Sequence, residues 1–335
     1  MVDPATTGSL LDGTPFLAAD VGGTHARLAL VRAGAAGQPV AVEVLAFHKY
    51  DCTEHASLSD LITEFLAAHG GGRVDRGVVA SAGYELDDGT VIATNLPWPL
   101  SIRETRERLR FADLRLVNDF KAVAYAAATL PAAETTRIAG PDEASVRGPV
   151  LVLGPGTGLG AAVWIPRGDH PFVLATEAGQ AALAAGNELE LALLSQLLKQ
   201  HAHVTIGHVL SGPGILNLYN ALAVLRGARP VLSTPSQITA AAQAGDDALA
   251  RETLETFCGF LGSVVGDMAL TYGVQGGIRL AGGIPSQIRD FLLNSDFVAR
   301  YLNKGPMRAA LERIPVRLVE HGRLGVVGAA HWYLD

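Results

Sequence analysis

Apolar positions in this chain gather in short runs separated by glycine, and two of the separations are alike. The runs FLAADVGGTHARLALV (residues 16–31) and VLVLGPGTGLGAAVWI (residues 150–165) each set apolar strands on either side of a turn made of glycine, threonine and little else. Each pattern predicts a β-hairpin. Glycine removes the Cβ and permits positive φ, so such a turn can point consecutive backbone N–H groups at an anion. A single glycine hairpin is commonplace. Two of them, with Asp20 opening the first, suggest a phosphate gripped from both sides.

Beyond the first hairpin the apolar positions alternate, then recur at helical spacing. VEVLAFHKY (42–50) predicts a strand, and Leu58, Leu61, Ile62, Phe65 and Leu66 predict a helix closed by Gly70 to Gly72. VDRGVVASA (74–82), the polar turn LDDG (86–89) and the strand TVIATN (90–95) follow. Next come an Arg- and Glu-rich helix over 101–110, the strand LRLVND (114–119) and an alanine-rich helix. In the second half a helix starts near Asn187, which can cap it, with Leu189, Leu193, Leu194, Leu197 and Leu198 on one face. Helices over 248–272 and 286–303, strands over 278–283 and 316–321, and a helical GVVGAAHWYL complete the set. Strands alternating with helices predict an α/β protein of two similar halves, each starting on a glycine hairpin. No short repeat period is present, which argues against a solenoid or propeller.

Composition narrows the function classes. The 335 residues suffice for one large or two ordinary domains, and 49% are hydrophobic against 18% charged, as in a compact enzyme. A net charge of −7 and the lack of any Lys/Arg cluster argue against a nucleic-acid partner. Cys52 and Cys258 are too few for a disulfide framework or a four-thiolate zinc site and read as ordinary buried residues. The start MVDPATTGSLLDGTP lacks a secretory pattern, and no apolar run approaches the ~20 residues that span a bilayer. The expected setting is the cytoplasm, without a membrane partner.

The chemistry begins with the nucleotide. A P-loop requires GxxxxGK[ST], which does not occur, and a Rossmann fingerprint requires GxGxxG between a strand and a helix. Here GPGTGLG (154–160) runs into another apolar strand, so a two-hairpin clamp remains. Asp20, beside phosphate-binding amides, would be repelled unless a cation intervened. It reads either as a holder of Mg²⁺, directly or through water, or as a cap on the Gly22 or Gly23 N–H. In LRLVNDFKAVAYA, Asn118 and Asp119 end a strand at the rim of an α/β sheet, where ligands bind. Asp119 there is either a base for a hydroxyl attacking a γ-phosphate or a helix N-cap.

DVGGTHARLAL, TNLPW (94–98), VNDF (117–120), GPGTGLG, LSGPGILNLY (210–219) and LAGGI (280–284) occur in the order found in bacterial ATP-dependent glucokinases. Together with IPVRLVEHGRLGVVGAAH near the C-terminus they extend the resemblance over nearly the whole chain. The sequence resembles that family, within the hexokinase and actin-like ATPase (ribonuclease H-like) fold. The resemblance implies two α/β domains with a cleft between them, MgATP on one side and a hexose on the other. It places a small domain at 1–128 plus 321–335, with the first phosphate loop and catalytic Asp, and a large domain at 129–320. It further implies a cytoplasmic, homodimeric sugar kinase.

Residue by residue, Asp20, Gly22, Gly23 and Thr24 match the family's first phosphate loop, and Gly156, Thr157 and Gly158 its second. Gly282 and Gly283 match the adenosine loop, and Asp119 matches the base that deprotonates the sugar O6. Asn118 and Glu177 match sugar contacts, and Asn95 and Trp98 resemble the sugar-side strand and its turn. Three positions depart, one of them Glu85, in AGYE, where the family's turn near the sugar has proline. Gln180, in EAGQ, stands where the family has a sugar-contacting histidine, and Gly207 stands where it has a second sugar-binding glutamate. Losing that carboxylate removes a charged hydrogen bond worth roughly 1.5–3 kcal/mol, or about ten- to a hundredfold in affinity. His203 and His208 lie close by in sequence as substitutes or as surface or packed histidines. The expected activity is ATP-dependent phosphorylation of glucose or a related hexose. The alternative is a protein of the same fold with altered sugar preference or weak catalysis, acting as a sugar-responsive binding protein.

Overall fold

The computed structural model describes residues 13–34, 41–69, 74–86, 90–92, 96–168 and 170–335. The chain divides into two compact units, one running through Thr129 and completed by His321–Asp335, the other spanning Leu130–Glu320.

In the first unit β1 (Phe16–Val21) and β2 (His25–Ala33) form the predicted hairpin, with Asp20 opposite Arg27 and Val21 opposite Ala26. β3 (Val42–Asp51) adds antiparallel to β2, and β4 (Arg76–Ser81) lies parallel to β1. β5 (Tyr84–Glu85), β6 (Thr90–Ile92) and β7 (Leu100–Ser101) make a small separate sheet. β8 (Asp113–Asn118) closes the main one, whose order is β3-β2-β1-β4-β8. β1 is central and buried on both faces, which explains its nearly unbroken apolar run. Leu17, Ala19 and Val21 pack with Leu58, Leu61, Ile62 and Phe65 of α1 (Leu58–His69). Helix α2 (Ile102–Leu109) borders that side. On the opposite face Phe16 and Ala18 pack with Ala122 of α3 (Asp119–Ala127) and with Val326, Ala329 and Tyr333 from the end of the chain.

The second unit repeats this arrangement. β9 (Thr136–Ala139) precedes the second hairpin, β10 (Val150–Pro155) and β11 (Leu159–Ile165), and β12 (Phe172–Thr176) adds to β11. β13 (Gly277–Leu280) and β14 (Val316–Leu318) lie parallel on the other side, for an order β12-β11-β10-β13-β14-β9. Leu151, Leu153, Ile278, Leu280, Val316 and Leu318 face one core built with α4 (Glu188–Leu197), α5 (Gly212–Arg226), α6 (Pro235–Ala244) and α7 (Ala248–Thr271). Both cysteines are buried. The last helix, α8 (Leu324–Leu334), belongs to the first unit, where it crosses α3 so closely that a Cβ on Gly328 would collide with the Ala122 carbonyl oxygen. Among the described residues no helix is long and apolar enough to cross a membrane.

Some elements differ from expectation. Asp119 does not end β8; it is the first residue of α3. The strand expected over 278–283 stops at Leu280, because Gly282 turns the chain at φ +91° and Gly283 begins a short helix. The helix expected over 286–303 is three short ones, Gly283–Gln287, Arg289–Leu293 and Phe297–Leu302. The second break falls where the side chains of Asn294 and Ser295 bond back to nearby carbonyls and Ser295 Oγ accepts from Phe297 N. The tip of the LDDG turn and the glycines after α1 fall outside the described residues.

Candidate active site

In the first unit the parallel strands β1, β4 and β8 end in register: Val21 pairs with Ser81, and Ser81 with Asn118. Their carboxyl ends therefore bring Asp20, the Gly22–Thr24 turn, Asn118 and Asp119 to one rim of one sheet. Two strand spacings put Asp20 and Asp119 on the order of 10 Å apart. Asp20 Oδ2 accepts from Arg27 Nη1 at 3.2 Å, and the Gly22 N–H donates to His25 O at 3.0 Å, so Asp20 is not the cap of Gly22. Burial raises the Asp20 carboxyl above its ordinary pKa, and Arg27 offsets part of that shift. A side chain at Gly325 would collide with the Asp20 carboxyl, so the first turn of α8, with its positive dipole end, lies against it.

The cap of α3 is Asn118, whose Oδ1 accepts from Lys121 N at 3.0 Å. That leaves the Asn118 amide nitrogen to donate to a ligand. Asp119, at the following position, accepts from Phe120 N through Oδ1 at 2.7 Å. The capping role that Asp119 was a candidate for is thus filled by its neighbour. Asn95 lies outside the described residues. Trp98 is a core residue, 7% exposed, and its indole Nε1 donates to Cys52 O at 3.1 Å.

In the second unit the turn after β10 is bare. Gly156 N donates to Gly158 O at 2.7 Å, and a Cβ on Gly156 or Gly158 would meet nothing within 4 Å. Neither residue has a positive φ. Nothing in the backbone or in the packing requires glycine at these two positions. A ligand approaching the main chain there would require it. Gly212 N, at the start of α5, donates to Gly156 O at 2.8 Å, and Ser211 caps that helix through Gly214 N at 3.0 Å. A Cβ on Gly154 would strike the Ala281 carbonyl, and one on Gly282 would lie 2.8 Å from Pro155 O. Three glycine segments, 154–158, 211–214 and 281–283, are therefore packed together. They bring Gly156, Thr157, Gly158, Gly282 and Gly283 beside the N-terminus of α5, whose own first amides are taken by Gly156 O and Ser211, so the helix would favour an anion there through its dipole. The contribution of Ser211 and Gly212 was not foreseen; its signal was a capping serine with proline in the first turn of LSGPG.

Glu177 is exposed and precedes the short helix Ala178–Gln180, with Gln180 N donating to Glu177 O at 2.9 Å. Gly207 sits beside this turn: a Cβ on it would lie 3.1 Å from Gly179 O. His208 Nδ1 accepts from Thr205 N at 3.0 Å, and its ring stacks on His201 at 4.4 Å. Burial, with His201 and His203 nearby, lowers the His208 pKa and keeps it neutral. His208 is thus a packed, capping histidine. His203 is exposed, its Nε2 3.1 Å from the Gln180 carbonyl oxygen. Among the described residues no group of three or more His, Cys, Asp or Glu is placed to hold a metal ion, so an ion at Asp20 would take its other ligands from phosphate or water.

The sequence model of the Glucokinase family matches residues 17–335. A glucokinase-like protein of Xylella fastidiosa is 52% identical over 96% of this chain and 95% of its own length. The glucokinase of Saccharophagus degradans is 38% identical over 95% of this chain and 98% of its own. The crystal structure of a glucokinase from an Antarctic psychrotroph superposes with a TM-score of 0.82 at 36% identity, covering 95% of this chain and 98% of that one.

Proposed function

The chain belongs to the glucokinase family of phosphotransferases, and from that premise we propose that it moves the γ-phosphoryl group of ATP to the O6 hydroxyl of glucose or a related hexose. The observation that carries the reading is the open turn at 154–158, packed against the start of α5 and the 281–283 loop. A Cβ at Gly156 or Gly158 would fill the space that a phosphate oxygen needs to reach the amides.

In the first unit the Gly22–Thr24 turn is a phosphate loop in this reading. Asp20 would hold Mg²⁺, directly or through water, and that ion supplies neutralisation of the β- and γ-phosphate charge. Asn118 donates its amide nitrogen to a sugar hydroxyl, and Asn95, Glu177 and Gln180 supply further sugar contacts. Asp119, the first residue of α3, accepts the O6 proton. As O6 bonds to the γ-phosphorus, the bond to the β–γ bridging oxygen breaks and ADP leaves. A cytoplasmic location and a homodimer belong to the same proposal.

The test is a coupled ADP-release assay across glucose, mannose, glucosamine, fructose and N-acetyl sugars. Asp119→Ala should cut turnover by about 10²–10⁴ while leaving nucleotide affinity near wild type. Near-normal turnover would overturn the base assignment, and no sugar-dependent turnover with any sugar would overturn the kinase reading. Gly207 and Gln180 favour a second reading, a sugar-responsive binding protein with weak catalysis. Calorimetry with glucose, with and without an ATP analogue, separates the two.

A further inference from the structure

Cys52 reads in the sequence as an unremarkable buried residue, yet three of its polar groups are engaged around the first glycine turn. Its thiol donates to the Gly22 carbonyl oxygen at 3.3 Å, and its backbone N–H donates to the Thr24 carbonyl oxygen at 2.9 Å. Its own carbonyl accepts from the Trp98 indole at 3.1 Å. Cys52 is fully buried at the start of the short helix Cys52–Glu54, which Asp51 caps through Thr53 N at 2.9 Å. Burial raises the thiol pKa, so the sulfur keeps its proton and remains a donor.

The consequence follows from the planarity of the peptide bond. In a trans peptide the C=O of one residue and the N–H of the next point in opposite directions. Drawing the Gly22 carbonyl toward a buried thiol therefore turns the Gly23 N–H away from the core. A glycine peptide has little intrinsic preference to hold such an orientation, because glycine populates both signs of φ. We propose that Cys52, braced by Trp98, is a positioning residue for the first phosphate loop: it holds the Gly22–Gly23 peptide with its N–H presented to the nucleotide. This rests on the reading of Gly22–Thr24 as a phosphate loop. It adds a side-chain brace, and through Trp98 it ties that loop to the turn that follows TNLP.

Calorimetry with a non-hydrolysable ATP analogue and Mg²⁺ tests it, on wild type, Cys52→Ala, Cys52→Ser and Trp98→Phe, each also melted. Cys52→Ala should weaken analogue binding about three- to tenfold, the range of one hydrogen bond. Sugar binding should change less than about twofold. Cys52→Ser, which keeps a donor, should recover part of the loss, and Trp98→Phe should shift binding in the same direction as Cys52→Ala. Analogue affinity unchanged in Cys52→Ala, with wild type binding normally, overturns the brace. No nucleotide binding by wild type overturns the phosphate-loop reading itself and the brace with it. A readout on unmodified protein covers the case of a variant that does not fold. The analogue should slow hydrogen exchange of the Gly23 amide, read by NMR, and equal exchange of that amide with and without the analogue also overturns the proposal.

Discussion

Restoring a carboxylate at position 207 tests the sugar side directly. Gly207 lies in the short helix Ile206–His208, has no positive φ, and stands beside the Ala178–Gln180 turn. A Cβ there would lie 3.1 Å from Gly179 O and 3.7 Å from Thr205 Oγ1, so the backbone must give by a few tenths of an ångström. That adjustment costs about 1 kcal/mol, the low end of the range for overpacking. A charged hydrogen bond to a sugar hydroxyl contributes roughly 1.5–3 kcal/mol. That strain is present with and without sugar, so it lowers stability rather than affinity, and Gly207→Glu should lower glucose KM by about ten- to a hundredfold relative to Gly207→Ala. Gly207→Ala carries the same steric change without the carboxylate and is the control. The assay is glucose KM at saturating ATP, with calorimetric affinity as a check independent of turnover. If Gly207→Glu binds glucose no better than Gly207→Ala, position 207 does not face the sugar.

Other perturbations separate ligand binding from folding. Gly156→Ala meets no protein atom and should leave the melting temperature within about a degree, yet weaken ATP-analogue binding by about tenfold; unchanged affinity would remove the second turn from the nucleotide site. Gly328→Ala does the reverse, pushing α8 off the Ala122 carbonyl and lowering stability by about 2–3 kcal/mol in a urea titration. His208 is held neutral, so its contribution to stability is complete above the unfolded pKa of about 6.5 and is lost as pH falls toward the lower folded value. His208→Gln keeps an acceptor for Thr205 N and should reduce the loss of stability between pH 7 and 5, read from urea midpoints.

The glycine hairpins and the α/β class were legible because both signals are local. An apolar run, a glycine turn and a second apolar run need no distant partner to be recognised. Helix α5 leaves little trace in the sequence because it is apolar on most faces, so its 3.6-residue period is weak. The Asp119 ambiguity was real in the sequence. N-cap and first helical residue differ by one position, and only the observed Asn118–Lys121 bond assigns the cap.

By itself the sequence determined which segments make glycine turns and which carboxylates lie close to strand ends, since those depend on residue type and immediate neighbours. The tertiary structure decided which of them meet. Segments 154–158, 211–214 and 281–283 are far apart in the chain, and they converge because β10 pairs with β13 and α5 starts against the Gly156 carbonyl. Strand pairing at that separation depends on a shared core, which no local pattern contains. Cys52 shows the same limit in one residue. A lone cysteine carries no signal along the chain, and it acquires one only when folding sets its thiol on the Gly22 carbonyl and its own carbonyl under Trp98.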